Sequence, residues 1–596
     1  MKAIKFIFKT IFTAIITIVS ALIIISICAG ILVASLNMME NITPPKKGSV
    51  LLINLQESIV DSPELQQFTL SDLTSPIERR VSLMSALAAI ESAASDSNIE
   101  GIVIRPDGYG HIDMATLEEL RAEIAEFKKS GKFVLAYDSD YSQGDYYLAS
   151  VADEVYIQPL GRLTWQGIAS NTLYFKGLLE RLDVDVEVFR PEACTYKSAV
   201  EPLTRSSISP ENREQSSALI SSLWGVIVDQ VARSRDLSVG ELNRYADSLS
   251  LFMPERARLA GMVDGVIYED QFIDILDDMG VEVDDGKPEQ ISLYNYALLH
   301  SKRERREGDK LAVIYAEGEI VDGRGSALQQ VGGDALAAKL RRVREDDDIK
   351  GVVLRVNSPG GSALASEIIW REMELLRKEK PTVVSMGGYA ASGGYYISCP
   401  ADVILTDRLT ITGSIGVFGM MFNLEDALRN KLGITIDGVT SNASADFGRV
   451  ARASTPTEYE AMMRSVDGVY NSFVDHVSSG RNLSRSRVEG ISGGRIWSGE
   501  EAMQVGLADG YGGLKKAISL AAERSGLDSN NLYIEEILDE PTPLQMALSS
   551  FAVKLSTWNK AEAQPLAEYQ KLYDQIRVYS SDSGLYLYSP FRIESR

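Results

Sequence analysis

Hydrophobic and polar positions divide the chain into regions of different character. From Ile11 to Leu36 runs an uncharged, strongly apolar stretch of 26 residues, where roughly 20 helical residues suffice to span a bilayer. A secretory signal carries an apolar region of only about 7–15 residues, so the pattern predicts an uncleaved transmembrane anchor; a long cleaved signal is the alternative. Beyond it, short β-rich apolar runs alternate with segments of helical period. VVLRV at 352–356 predicts a strand, SEIIWREMELLRK at 366–378 an amphipathic helix, and PTVVSM at 381–386 a second strand ending at Gly387-Gly388. Strand–helix–strand alternation implies βαβ units with parallel pairing.

The pattern is also duplicated. VLLINLQESIVD at 50–61 matches LAVIYAEGEIVD at 311–322, and IEGIVIR at 99–105 matches IKGVVLR at 349–355. YYLASVAD at 146–153 matches YYISCPAD at 395–402, and AGMVDGV at 260–266 pairs with VGLADGY at 505–511. Four blocks in one order, offset by about 250 positions, predict two α/β domains in tandem, each of ordinary domain size. We place them at 48–283 and 310–540, after an anchor at 1–47. The polar stretch 284–309, which contains most of the SKRERREGDK run, reads as their connection, and 541–596 is an extension without a repeat partner.

Charge then narrows the function. Lys2, Lys5 and Lys9 precede the apolar run, while Lys46 and Lys47 follow it behind Glu40; this modest bias predicts a cytoplasmic N-terminus, with the remainder outside the cytoplasm. The formal net charge of −23 disfavours nucleic-acid binding, because such a surface repels phosphate backbones. Three cysteines, Cys28, Cys194 and Cys399, are too few for a disulfide framework and fit no zinc spacing. They read as buried thiols, with a Cys194–Cys399 bridge left open because both flank the chemistry below. His111, His300 and His476 form no H-E-x-x-H pattern and sit in no context suggesting a catalytic triad. A hydrolase built on this chain therefore needs another base.

Three segments carry candidate chemistry. In VVSMGGYAASGGYYI at 383–397, a helix is expected to begin near Ser392. A hydroxyl there feels the positive end of the helix dipole, and the Gly393 amide can face a substrate carbonyl. In VNSPGGS at 356–362, the Pro359-Gly360-Gly361 turn offers further exposed amides for an oxyanion. Each of these segments also reads as a plain turn before a helix. In TYKSAVEP at 195–202, Lys197 has uncharged neighbours, which permits the burial that a lysine base requires; taken alone it also reads as a surface lysine. The repeat changes the balance. Aligned through the YY pairs, Ser392 falls opposite Gln143, Gly393 opposite Gly144, the PGG turn opposite Tyr109-Gly110-His111, and Lys197 opposite about Asp446 or Phe447. One half holds the serine and glycines and the other holds the lysine, as complementary loss after duplication of a Ser–Lys domain would leave them.

With VNSPGGS, GGYAASGGYY, TGSIGVFG and YKSAVEPLT, the anchor and the two repeats, the chain resembles the signal peptide peptidase A (protease IV) family in its long two-domain form. The resemblance implies tandem crotonase-like or Clp-protease-like domains, Ser392 as nucleophile and Lys197 as general base. It implies Ser414 as the hydroxyl that orients Lys197, an oxyanion hole at Gly361 and Gly393, and Gly360 shaping the turn. It further implies a homotetramer on a bacterial inner membrane with catalytic domains on the periplasmic side. The implied substrates are remnant signal peptides or other extended hydrophobic chains, and no metal or cofactor is called for. Ser198 is a second candidate partner for the lysine. Glu201 reads as part of a structural salt bridge. Two other functions stay open: a crotonase-type acyl-CoA enzyme, which would leave Lys197 unexplained, and an inactive peptide-binding scaffold.

Overall fold

The computed structural model describes residues 43–62, 80–106, 112–300, 309–325, 330–528 and 532–538, together with the backbone of 585–588. The predicted anchor at 11–36 lies outside the described residues, and among those described no helix is long and apolar enough to cross a membrane. Apart from Thr43 and Pro44, they belong to one compact unit.

The duplication visible in the sequence is a duplication of sheets. The first half supplies β1 (Ser49–Ile53), β2 (Ile99–Ile104), β3 (Phe133–Tyr141), β4 (Glu154–Leu163), β5 (Gly265–Val266) and β6 (Gln290–Ser292), ordered β6-β1-β2-β3-β4-β5. The second half supplies β7 (Lys310–Glu317), β8 (Ile349–Ser358), β9 (Thr382–Ala391), β10 (Val403–Thr406), β11 (Gly510–Tyr511) and β12 (Ile534–Glu536), and these lie in the corresponding order β12-β7-β8-β9-β10-β11. All of these neighbours pair in parallel. Parallel strands need crossovers, and helices supply them. In the first half these are α1 (Leu83–Ser95), α2 (Met114–Phe127), α3 (Gln143–Ala149) and the long α4 (Pro210–Arg235). In the second they are α5 (Gly333–Glu345), α6 (Ala363–Leu376), α7 (Gly393–Ser398) and the equally long α8 (Pro456–Arg481).

Local chemistry explains the matched boundaries. Both long helices begin with proline, which has no amide to leave unpaired in the first turn. Ser209 caps α4 by accepting from the Asn212 amide, and Thr455 caps α8 by accepting from Glu458. Each ends on a left-handed residue, Asp236 or Asn482, both at φ 52°.

Strand periodicity then builds the core. Along β7, Leu311, Val313 and Tyr315 join a cluster made mainly of first-half side chains, while Ala312, Ile314 and Ala316 join the second half's own core. Successive residues point to opposite faces, so the second sheet is buried on both sides and its central strands carry long apolar runs. Each large aliphatic side chain buried this way contributes on the order of 1.5–3 kcal/mol.

Two expectations need correction. The strand predicted to end at Gly387-Gly388 runs on to Ala391. The two glycines lie in an irregularity of the β8–β9 ladder, between the pairs Val356–Met386 and Ser358–Ala390. There a side chain on Gly388 would strike Asp113, and one on Gly387 would crowd Asn357. The stretch 284–309, read as a connection, contains β6, which pairs with β1, and the helix Leu293–His300, whose Leu293, Tyr296 and Ala297 are buried in the first-half core. The first sheet thus extends beyond residue 283.

One first-half strand crosses over. Asp185–Phe189 pairs antiparallel with Phe418–Asn423 of the second half, Phe189 opposite Gly419. The chain leaving Phe189 therefore enters second-half territory a few residues before Lys197.

Candidate active site

Lys197 is 1% exposed and Ser392 is 0% exposed. They lie 195 positions apart in the chain, yet Lys197 Nζ donates to Ser392 Oγ at 2.6 Å. The same nitrogen donates to Ser414 Oγ and to the Ser414 carbonyl oxygen, each at 3.0 Å. Burial pushes the Lys197 ammonium down from the ordinary lysine range to about 7, against a small opposing influence of Cys194. A buried ammonium without a carboxylate partner is costly, so the amine discharges near neutrality.

The backbone around each group accounts for this convergence. Lys197 N donates to Cys194 O at 3.1 Å and Tyr196 N donates to Gly493 O at 3.0 Å. Arg190 holds the Lys197 carbonyl at 3.0 Å. On the second-half side, Gly494 N donates to Ile415 O at 2.8 Å and Ser414 N to Arg495 O at 2.7 Å. The segment 493–495 thus binds the backbone of Tyr196, the lysine's neighbour, with one edge and the Ser414–Ile415 backbone with the other. Gln215 adds a bridge, accepting from the Ile496 amide at 3.2 Å and donating to Tyr196 O at 2.9 Å.

Ser392 sits between β9 and α7 at φ 57°, ψ −114°, a conformation that L-residues rarely adopt. Its amide donates to Gly413 O at 2.8 Å, and its carbonyl accepts from Tyr396. The predicted helix start at Ser392 is confirmed, although α7 is only six residues long. The glycine segments meet beside it. A Cβ on Gly393 would lie 3.1 Å from Gly360 Cα and 3.2 Å from Gly361 N. Gly360 and Gly361, expected as an exposed turn, are instead buried in the short strand Gly360–Ser362, with φ of 100° and 157°. A side chain on Gly361 would run into the Ile320 carbonyl.

Other expected residues fall away from the lysine. The Ser198 hydroxyl accepts from Gln215 at 3.3 Å. Glu201 makes no salt bridge among the described residues; it accepts from the Ser209 amide at 3.2 Å, from the Ser209 hydroxyl, and from Asn212 at 3.0 Å, buttressing the start of α4. Cys194 and Cys399 are free buried thiols, so the bridge left open does not form. His300 binds Tyr296 O, and His476 binds Glu367 and stacks on Trp370. Cys28 and His111 lie outside the described residues.

A feature that the sequence reading passed over lies between the halves. Arg355 of β8 is fully buried, with Nε donating to Asp61 at 2.7 Å, Nη2 paired with Glu119 at 2.8 Å and Nη1 donating to Ser385 at 2.8 Å. Asn357 donates to Asp61 at 2.7 Å and Asp113 at 3.1 Å. A cation inside the apolar run VVLRV was the available signal, since such a group needs buried partners.

Comparison with known proteins follows the same division. The profile of Peptidase family S49 matches residues 126–284 and again 374–528. The Clp protease profile matches 303–408, and the tandem α/β fold is Clp-protease-like. The chain is 34% identical over 565 residues to "Protease 4" of Haemophilus influenzae, covering 90% of each. It is 36% identical over 515 residues to "Protease 4" of Salmonella typhi, covering 84% of this chain and 82% of that one. It is 31% identical over 508 residues to "Serine protease SPPA, chloroplastic" of Arabidopsis thaliana, covering 83% and 72%.

Proposed function

Since this chain belongs to Peptidase family S49 and is a serine protease, we propose that Ser392 is its nucleophile and Lys197 its general base. The observation that carries this reading is the 2.6 Å contact between a buried hydroxyl and a buried amine that loses its charge near pH 7. Neutral Lys197 takes the Ser392 proton as Oγ attacks a peptide carbonyl. Protonated Lys197 then delivers that proton to the leaving amine, and water reverses the steps to release the acyl group. Ser414 accepts from Nζ and fixes its direction. The Gly361 and Gly393 amides serve as oxyanion donors, with Gly360 setting the turn; one such donor is typically worth about 2.7–4 kcal/mol. Family membership and the partnered lysine leave no place for a crotonase-type acyl-CoA reaction.

For substrate we infer extended hydrophobic peptides, above all remnant signal peptides. A relative named "Putative signal peptide peptidase SppA" in Enterococcus faecium, 30% identical over 284 residues (47% of this chain and 81% of that one), supports the class. The apolar run 11–36 anchors the enzyme in a bacterial inner membrane, where such peptides are left, with both repeat domains on the periplasmic side and a homotetramer as the working form. The test is hydrolysis of a signal-peptide sequence by the full chain in detergent. Wild type cleaves it; Ser392→Ala and Lys197→Ala lose at least about 10²-fold in kcat, given typical base contributions of about 10²–10⁴. Retained cleavage in Ser392→Ala refutes the assignment.

A further inference from the structure

The first two turns of α4 grip the segment that carries Lys197. Around the lysine itself, Gln215 Nε2 donates to Tyr196 O at 2.9 Å and to the Ser198 hydroxyl at 3.3 Å, and the Tyr196 hydroxyl donates to Glu214 at 2.9 Å. Further along, Asn212 Nδ2 donates to Glu201 at 3.0 Å, and Asn212 Oδ1 accepts from Gln215 at 3.1 Å. The same helix also holds the second half. Gln215 Oε1 accepts from Ile496 N at 3.2 Å, and Glu214 accepts at 2.8 Å from Arg495, whose guanidinium lies 5.1 Å from the Tyr196 ring centre.

Gln215 reaches toward both members of the dyad. Ile496 belongs to the short strand Ile496–Ser498, where it stands opposite Gly413 of Ile411–Gly413. Gly413 O accepts from Ser392 N at 2.8 Å, and the next residue, Ser414, accepts from Lys197 Nζ. One buried side-chain amide thus ties the carbonyl just before Lys197 to the strand that holds the Ser392 backbone. The chemistry of the two ends dictates the residue type. Tyr196 O can only accept and Ile496 N can only donate, so the bridge needs a donor and an acceptor on one short group, which glutamine supplies without a charge. Gln215 is 1% exposed, where an unmet amide is costly.

The duplication supplies an internal comparison. Gln215 is the sixth residue of α4, and the sixth residue of α8 is Ala461, which is exposed. Glu460, in the place of Glu214, pairs with Arg464 of its own helix at 3.8 Å. The segment before α8 holds no counterpart of Lys197, and α8 has no side chain at that place able to make the bridge. We propose that Gln215 is a positioning residue for the general base, setting the approach of Lys197 Nζ to Ser392 Oγ through the backbones on either side. The proposal rests on the assignment of Ser392 and Lys197 above, and Gln215 acts on the reaction only through the lysine.

The test is steady-state hydrolysis of a leucine-rich peptide by the full chain in detergent. Gln215→Met keeps the length of the side chain but cannot donate to Tyr196 O. Its kcat is expected to fall by about 10–100-fold with KM within about twofold of wild type, because the base is displaced while contacts to the substrate stay. Gln215→Glu keeps the acceptor and, when ionised, loses the donor; it should show a similar fall, and it carries the test if Gln215→Met does not fold. Ser222→Ala removes another contact from α4 to the same strand, the 2.7 Å bond to Ser498, and should keep kcat within about twofold. Adding Gln215→Met to Lys197→Ala should cost at most about twofold beyond Lys197→Ala alone, since no base is left to position. Wild-type kcat in the Gln215 variants, a loss confined to KM, an equal loss in Ser222→Ala, or additive losses in the double variant overturns the proposal and leaves the dyad standing. Full activity in Lys197→Ala refutes the dyad assignment instead.

Discussion

Gly494 is held so near Lys197 that a Cβ added to the glycine would lie 2.5 Å from Lys197 N and 2.6 Å from Lys197 Cα. The glycine also sits at φ +87°, where an L side chain is strained. Its amide binds Ile415 O, one residue from Ser414. Gly494 therefore fixes the distance between the lysine's backbone and the hydroxyls that its amine reaches.

Replacing it should separate those groups while leaving both sheets intact. Gly494→Ala is expected to lower kcat by about 100-fold, the scale of a 1 Å misplacement of reacting groups. Far-UV circular dichroism should be unchanged, and KM should move little because the substitution touches no substrate contact. Steady-state kinetics with wild-type kcat would disprove the role.

The pH dependence follows from Lys197. The base is active when neutral, and burial places its titration at about 7. kcat/KM should rise tenfold per pH unit below 7 and level off above it. The stability linkage runs in the same direction. The folded value lies below the ordinary lysine value near 10.4, so the unfolded chain binds the extra proton between the two, and this group's contribution to stability grows as pH rises from 7 toward 10. A pH–rate profile with its acid limb near 10 would place the amine in water and end the dyad reading.

Ser414→Ala separates orientation from basicity. The variant removes one 3.0 Å acceptor but keeps the Ser414 carbonyl at 3.0 Å. A hydroxyl acceptor stabilises the ammonium more than the amine, so its loss should move the acid limb of the rate profile to lower pH. kcat at the plateau should fall by about 10–100-fold, less than for Lys197→Ala, because the base is present but less well aimed. An unchanged limb and an unchanged plateau would leave Ser414 as a turn residue only.

Much of this site could be read in the chain because chemistry and repeat pointed to the same residues. Ser392 lay between glycines in one half and Lys197 between uncharged neighbours in the other, and the duplication showed each lacking its partner. The segment 493–495 was invisible because it acts through backbone amides and carbonyls, which leave no side-chain signature beyond Gly493-Gly494. Gly387-Gly388 misled for a related reason. Glycine usually marks a strand's end, but here it admits Asn357 and Asp113 against a bulged strand that continues. The second partner of the lysine was misjudged because Ser198 is adjacent in sequence yet turned toward Gln215.

Arg355 offers the sharpest test of how the halves are joined. It is fully buried, and burial opposes its charge, but the carboxylates of Asp61 and Glu119 hold the guanidinium well above its usual range. Those carboxylates come from the first half and Arg355 from the second, so the pairs cross the boundary that the repeat defines. Burial raises Asp113 and Glu119, and with Glu119 and Glu118 nearby it raises Asp407 well above the ordinary carboxylate range, while Arg355 pulls all three back. Arg355→Met keeps the apolar bulk and removes the cation, leaving buried carboxylates uncompensated at a cost of about 3–5 kcal/mol. A carboxylate whose folded pKa exceeds its unfolded value binds more protons when folded, so its stabilising protonation is present at low pH and lost as pH rises. The variant should therefore be nearer wild type in stability at pH 5 than at pH 8. Urea unfolding at both values measures the difference, and a deficit independent of pH would show that Arg355 is felt through packing rather than charge.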